Sequence, residues 1–127
     1  INYNEEDIIQ RASELTSGAG VDAVVDHVGA EFFPKAIRAL RPGGRYGICG
    51  ATTGLRAEIH LGQLFTRQLE IYGVYMGSQQ DMQEIAAMLN RGTIRPAIHG
   101  VYPLAEAAEA HRSMQATNFF GKLVLTP

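Results

Sequence analysis

The run VDAVVDHVGAEFFPKAIRALRPGGRYGICGATTG, Val21 to Gly54, decides the fold. Its opening, Val21 to Val28, is apolar and β-branched nearly throughout, the composition of a strand buried on both faces in a parallel sheet. Gly29 breaks that strand. A helix follows, with Phe32, Phe33, Ala36, Ile37 and Leu40 on one side and Lys35, Arg38 and Arg41 on the other. Pro42-Gly43-Gly44 stops the helix, Arg45 to Gly50 is a second short strand, and Ala51-Thr52-Thr53-Gly54 is the loop that leaves it. Strand, helix and strand joined this tightly imply a right-handed crossover between parallel neighbours.

Toward the N-terminus, Ile1 to Tyr3 read as the tail of a strand, and Asn4 with Glu5, Glu6 and Asp7 as the cap and acidic first turn of a helix. That helix carries Ile8, Ala12 and Leu15 on one face and exits through Ser17-Gly18-Ala19-Gly20. Toward the C-terminus, residues 57 to 61 alternate as an edge strand would, residues 62 to 68 suit a turn or two of helix, and Leu69 to Met76 read as a further strand. Ser78 and Asp81 start a helix marked by Met82, Ile85 and Leu89 and closed by Gly92. Ile98 to Tyr102 then suit a strand, Leu104 to Gln115 a helix begun by Pro103, and Lys122 to Leu125 a final strand.

A chain of 127 residues, 46% hydrophobic and 19% charged, is expected to be globular around one core. It has no apolar run of the ~18 residues a membrane span requires, so no membrane partner is expected. Eleven Lys and Arg stand against thirteen Asp and Glu with no basic stripe, which argues against nucleic acid. The single Cys49 leaves no internal disulfide and no Cys-rich zinc site, and a reducing cytoplasm is the expected location. The first residues carry neither an initiator Met nor a secretory signal pattern, and the reading is of the C-terminal part of a longer chain.

No catalytic constellation is legible. His27, His60, His99 and His111 lack metal-ligand spacing, and the last three suit surface or boundary positions. Cys49 reads as a small buried hydrophobe, and Glu5, Glu6 and Asp7 as partners of a helix dipole. Chemistry resides instead at strand ends, where an open parallel sheet binds ligands. Three strands finish in glycine-containing turns: Asp26 to Gly29, Gly50 to Gly54, and Gly73 to Gly77.

The ordered series of strand, D-x-x-G, helix, L-x-P-G-G, strand and G-x-x-x-G over residues 21 to 54 resembles the second half of the dinucleotide-binding domain of the medium-chain dehydrogenase/reductase superfamily. This superfamily includes zinc-type alcohol dehydrogenases and quinone oxidoreductases. The resemblance continues through Leu69 to Gly73, Arg91 to Pro96, Glu106 to His111 and Gly121 to Leu125. It implies an α/β fold: an incomplete Rossmann-type, mostly parallel sheet with flanking helices, lacking its first β-α-β. Residues 1–76 would be the second half of the dinucleotide-binding domain, and residues 77–127 a segment returning to the catalytic domain.

The implied cofactor is NAD or NADP. His27, Val28 and Gly29 would lie against its adenosine and ribose, while Cys49, Gly50, Ala51 and Thr52 with Val74, Tyr75 and Met76 would flank the nicotinamide. Lys122 matches a position whose cation approaches the pyrophosphate, and is equally read as a solvated lysine at a strand edge. Zinc, if used, would be bound in the preceding N-terminal part; no catalytic or metal residue is assigned here. The implied activity is hydride transfer between nicotinamide and an alcohol or carbonyl, with a quinone or enone reductase of the same superfamily as the alternative. This chain alone is expected to be inactive, and the intact protein a homo-oligomer such as a dimer. An S-adenosylmethionine methyltransferase, which shares L-x-P-G-G, and a non-catalytic association module are more distant readings. In the usual strand order the strand at Val21 would lose its inner neighbour, so its edge is expected to pair with another copy, an exchanged strand or the N-terminal residues.

Overall fold

Two parallel sheets organise the chain in its computed structural model, which describes residues 1–116 and 118–127. They belong to two compact units, Ile1–Met76 and Gly77–Pro127. The first unit contains α1 (Ile8–Leu15), β1 (Val21–Asp26), α2 (Phe33–Ala39), β2 (Leu40–Ile48), α3 (Leu61–Thr66) and β3 (Glu70–Gly73). Its three strands lie in the order β1-β2-β3, all parallel, with Val24 opposite Tyr46 and Tyr46 opposite Ile71.

The helix and strand of the quoted run divide differently from the sequence expectation. Leu40 is already extended (φ −64°, ψ 145°), so α2 ends at Ala39 and the Pro42-Gly43-Gly44 turn falls inside β2. Leu40 pairs with Val21 and Arg45 with Ala23, so Arg41 to Gly44 bulge opposite the single residue Asp22. This shift breaks the two-residue alternation of β1, which is why Val21 and Val24 both reach the core.

That core is Ala36, Ile37, Leu40, Tyr46 and Leu69, with Phe32, Phe33, Ile48 and Leu64 packed against it. The Phe33 ring meets Tyr46 edge to face at 5.1 Å and 88°. Burial of a side chain such as Leu40 stabilises by about 1.5–3 kcal/mol. The Arg67 guanidinium donates to the carbonyl oxygens of Ile37 and Leu40 and so satisfies the C-terminal end of α2.

Several expectations are corrected. Ile1–Tyr3 and residues 57–61 form no strand, and the third strand is confined to Glu70–Gly73 rather than reaching Met76. The cap of α1 is Asp7, whose carboxylate accepts from the Gln10 amide at 2.8 Å, and not Asn4. The strand at Val21 is not buried on both faces: Val25 is 75% exposed. The cause is that α2 covers one side of β1, while β1 pairs with β2 alone and is an edge. The N-terminal residues do not add to that edge as a strand; Ile1, Tyr3 and Ile8 instead line a hollow beside Val25 to Val28.

The second unit contains α4 (Gln79–Asn90), β4 (Ile98–Pro103), a 3-10 turn at Leu104–Glu106, α5 (Ala107–Gln115) and β5 (Lys122–Thr126). Ser78 opens α4 with a reciprocal capping box: its hydroxyl accepts from the Asp81 amide, and the Asp81 carboxylate accepts from the Ser78 amide. β4 and β5 pair in parallel, and α5 packs on both with Ala110 buried. Among the described residues no helix is long and apolar enough to cross a membrane.

Candidate functional site

Because β1, β2 and β3 are parallel and in register, their carboxyl ends fall on one edge of the sheet. Asp26, Ile48 and Gly73 are ladder neighbours there. The residues that follow are those singled out from the sequence: His27, Val28 and Gly29 after β1; Cys49, Gly50, Ala51 and Thr52 after β2; Val74, Tyr75 and Met76 after β3. The fold thus brings ten of the eleven sequence-expected positions to a single edge, three plus four plus three. The eleventh, Lys122, belongs to the other unit, where it is exposed at the start of β5 opposite Ile98.

The first turn is held by a buried acid. Asp26 is 1% exposed, and a carboxylate so deeply buried is tolerated only when its oxygens are met by donors. The Val28 amide donates to Oδ1 at 2.6 Å, the Gly29 amide reaches both oxygens at 3.2 and 3.3 Å, and the Tyr46 hydroxyl donates to Oδ2 at 2.5 Å. Burial first, and then the bond to Asp26, push the Tyr46 hydroxyl well above the ordinary phenol range, so it remains a donor at neutral pH. The second turn locks onto the first from the other side. Both the amide and the hydroxyl of Thr53 donate to the Val28 carbonyl, at 2.9 and 2.8 Å, and the Ala30 amide donates to the Gly54 carbonyl at 3.3 Å. The Glu31 amide in turn donates to the Thr53 hydroxyl at 3.1 Å.

Close packing fixes which residue types can stand here. Gly29 has φ +91°, and a Cβ on it would lie 2.7 Å from the Ala51 Cα. A Cβ on Gly50 would lie 3.0 Å from the His27 carbonyl oxygen. The two turns therefore touch through backbone, which leaves the space outside them open. Among the described residues no acceptor meets the amides of Gly50, Ala51 and Thr52, whereas the Cys49 amide is used by the Asp26 carbonyl at 2.8 Å. Unused N–H groups at the strand ends are what a ligand rich in oxygen and amide groups needs. His27 and Val28 also line an open hollow of about 610 Å³ with Phe32, Lys35 and Thr53.

Cys49 is exposed, contrary to the reading of a buried hydrophobe, because β2 ends at Ile48 and carries it past the helix-covered part of the sheet. His60, His99 and His111 are exposed as expected, and His60 caps α3 by accepting from the Gln63 amide at 3.1 Å. Asp26 and Thr53 enter the sequence reading only as members of strand-end turns, and Tyr46 has no site role there. The Asp26 role was findable, since an Asp two residues before an amide at a strand end is the pattern of a side chain closing its own turn. Tyr46 and Thr53 act across residues distant in sequence, and no local pattern announces them.

Parallel strands, crossover helices and strand-end turns of this kind define an open α/β sheet of the Rossmann class. Residues 1–125 match the family described as zinc-binding dehydrogenase, and the chain belongs to that family, within the medium-chain dehydrogenase/reductase superfamily. It is 30% identical over 138 residues to a 2-haloacrylate reductase of a Burkholderia species, covering 100% of this chain and 41% of that protein. It is 29% identical over 137 residues to a quinone oxidoreductase of Pseudomonas aeruginosa, covering 100% of this chain and 42% of that protein. The crystal structure of an NAD-dependent alcohol dehydrogenase superposes with a TM-score of 0.81 at 38% identity, covering 100% of this chain and 37% of that one. The chain thus spans about two fifths of the length of the curated relatives it matches.

Proposed function

We propose that this chain is the cofactor-orienting part of an NAD- or NADP-dependent oxidoreductase that transfers hydride between the nicotinamide and an alcohol or carbonyl substrate. The observation that carries this reading is the convergence of three strand-end turns on one edge, with the unpartnered amides of Gly50, Ala51 and Thr52 pointing to a carboxamide or phosphate-bearing ligand. Val74, Tyr75 and Met76 would close the other side of the nicotinamide, and His27, Val28 and Gly29 would meet the adenosine and ribose. When bound, the dinucleotide supplies the hydride-transfer chemistry. The residues of this chain bind and orient it, and none is assigned a proton-transfer role.

Among the described residues no three His, Cys, Asp or Glu side chains gather to hold a metal ion. Residues 1–76 would serve the dinucleotide and residues 77–127 a catalytic domain. A second reading, reduction of quinones or enones, is favoured by the relative named a quinone oxidoreductase, alongside the 2-haloacrylate reductase. The test is a titration of the isotopically labelled chain with NADH and NADPH by NMR. Shifts confined to amides 27–29, 49–52 and 74–76 are expected, with dissociation constants weaker than micromolar. An unperturbed strand edge, with changes only elsewhere, would refute the reading.

A further inference from the structure

We propose that Asp26 and Tyr46 form a buried positioning pair that holds the His27–Gly29 turn in its dinucleotide-accepting shape; this rests on the reading of that edge as a cofactor site. The argument begins with cost. A carboxyl group removed from water is expensive, and a buried strand end with no turn to hold would be better filled by an aliphatic residue. Asp26 is 1% exposed, and its direct hydrogen-bond partners are a phenol and two backbone amides, with no cation among them. Both amides belong to the turn that follows it.

The arrangement converts a flexible strand end into a fixed one. The Val28 backbone is held on both sides: its N–H donates to Asp26, and its carbonyl accepts from the amide and hydroxyl of Thr53. Tyr46, 1% exposed, is itself fixed by the ladder beside Val24 and by the Phe33 ring. Rigidity is therefore transmitted from the core through the Tyr46 hydroxyl and the Asp26 carboxylate to Val28 and Gly29. Meanwhile His27 stays exposed and available. Because the turn is ordered before any ligand arrives, binding does not incur the entropic cost of ordering it. Neither side chain is placed in contact with a ligand; both act through the turn.

The decisive comparison uses the full chain and three variants. Tyr46→Phe removes one donor and keeps the ring, Asp26→Asn keeps the shape and removes the charge, and Ile37→Val weakens the same core away from the turn. Amide exchange at Val28 and Gly29 and the dissociation constants for NADH and NADPH are measured for each. In Tyr46→Phe both amides should exchange at least tenfold faster, with binding about tenfold weaker, equivalent to about 1.4 kcal/mol. Asp26→Asn should show the same pattern, larger. Ile37→Val should lower thermal stability while leaving affinity and turn exchange within about twofold. If Ile37→Val weakens binding as much as Tyr46→Phe, or if the turn loosens in Tyr46→Phe with affinity unchanged, the pair is merely structural and the proposal fails. Failure of the unaltered chain to bind either dinucleotide, with a well-ordered turn, would instead overturn the reading of the edge as a cofactor site. Should Asp26→Asn not fold, Tyr46→Phe and Ile37→Val suffice to decide.

Discussion

Replacing Gly29 by Ala tests whether the two strand-end turns are locked through backbone contact. At φ +91° an L-residue is strained by roughly 1–2 kcal/mol. The new Cβ would also sit 2.7 Å from the Ala51 Cα and 2.9 Å from the Gly54 carbonyl oxygen. Neither obstacle is the flexible end of a side chain, so relief requires the turns to separate, at a further cost of about 1–3 kcal/mol. The total, about 2–5 kcal/mol, would lower the melting temperature of a unit this size by roughly ten to thirty degrees. Two controls separate the contributions. Gly18 has φ +86° but open space around it, so Gly18→Ala should show the strain alone, about 1–2 kcal/mol. Gly73 has neither a positive φ nor a neighbour within 4 Å, so Gly73→Ala should be neutral or slightly stabilising. Native-state amide exchange at Val24 and Tyr46 reports the stability of the first unit in each variant. Equal losses in Gly29→Ala and Gly18→Ala would refute the claim that Ala51 and Gly54 close on Gly29.

Three further outcomes follow from the same geometry. The chain alone should give no turnover of NAD or NADP with simple alcohols or quinones; reproducible activity in the pure chain would contradict the assignment of its residues to orientation only. The Tyr46 hydroxyl, pushed up from 10.0 by burial and by Asp26, contributes stability that is complete below about pH 10, and this is lost as pH rises from there toward the higher folded-state value. Alkaline unfolding should therefore coincide with the late appearance of one phenolate by ultraviolet absorbance, and Tyr46→Phe should abolish that coincidence. Ser78→Ala should cost the second unit about 1 kcal/mol by chemical denaturation, since it removes the acceptor for the Asp81 amide. Asp81 is held below the usual carboxylate range first by the Ser78 amide and then by its hydroxyl, so its part of the cap is present above the ordinary Asp range and is lost as pH falls below it.

What the sequence made legible was whatever depends on neighbours along the chain. The alternation of strand and helix over residues 21 to 54, the glycine at position 29 and the Ser78 start of α4 all follow from local propensity, and all are found. The failures share one cause. Val21 to Asp26 has the composition of a strand covered on both faces, but cover is supplied by other elements, and here β1 lies at an edge with Val25 exposed. Residues 57 to 61 have the alternation of a strand, yet a strand needs a partner ladder, and they have none. Pro42 to Gly44 looks like a terminator, whereas pairing of Leu40 with Val21 extends β2 back across it as a bulge.

The candidate site divides along the same line. Its ten strand-end positions were implied by the family resemblance, and parallel strands joined by crossovers, which finish on one edge, gather them there. What shapes that edge was not implied by it. Asp26 reads as the first residue of a D-x-x-G turn, and Tyr46 as a filler of the second strand, until the register brings the Tyr46 hydroxyl within 2.5 Å of the Asp26 carboxylate. The burial that makes such a pair costly is itself a property of the assembled sheet. The residues proposed to meet a ligand are thus gathered by the order of elements, and the residues that hold those in place are set by packing. Only the second kind requires the structure, and it is there that substitutions should alter affinity without altering any surface a ligand meets.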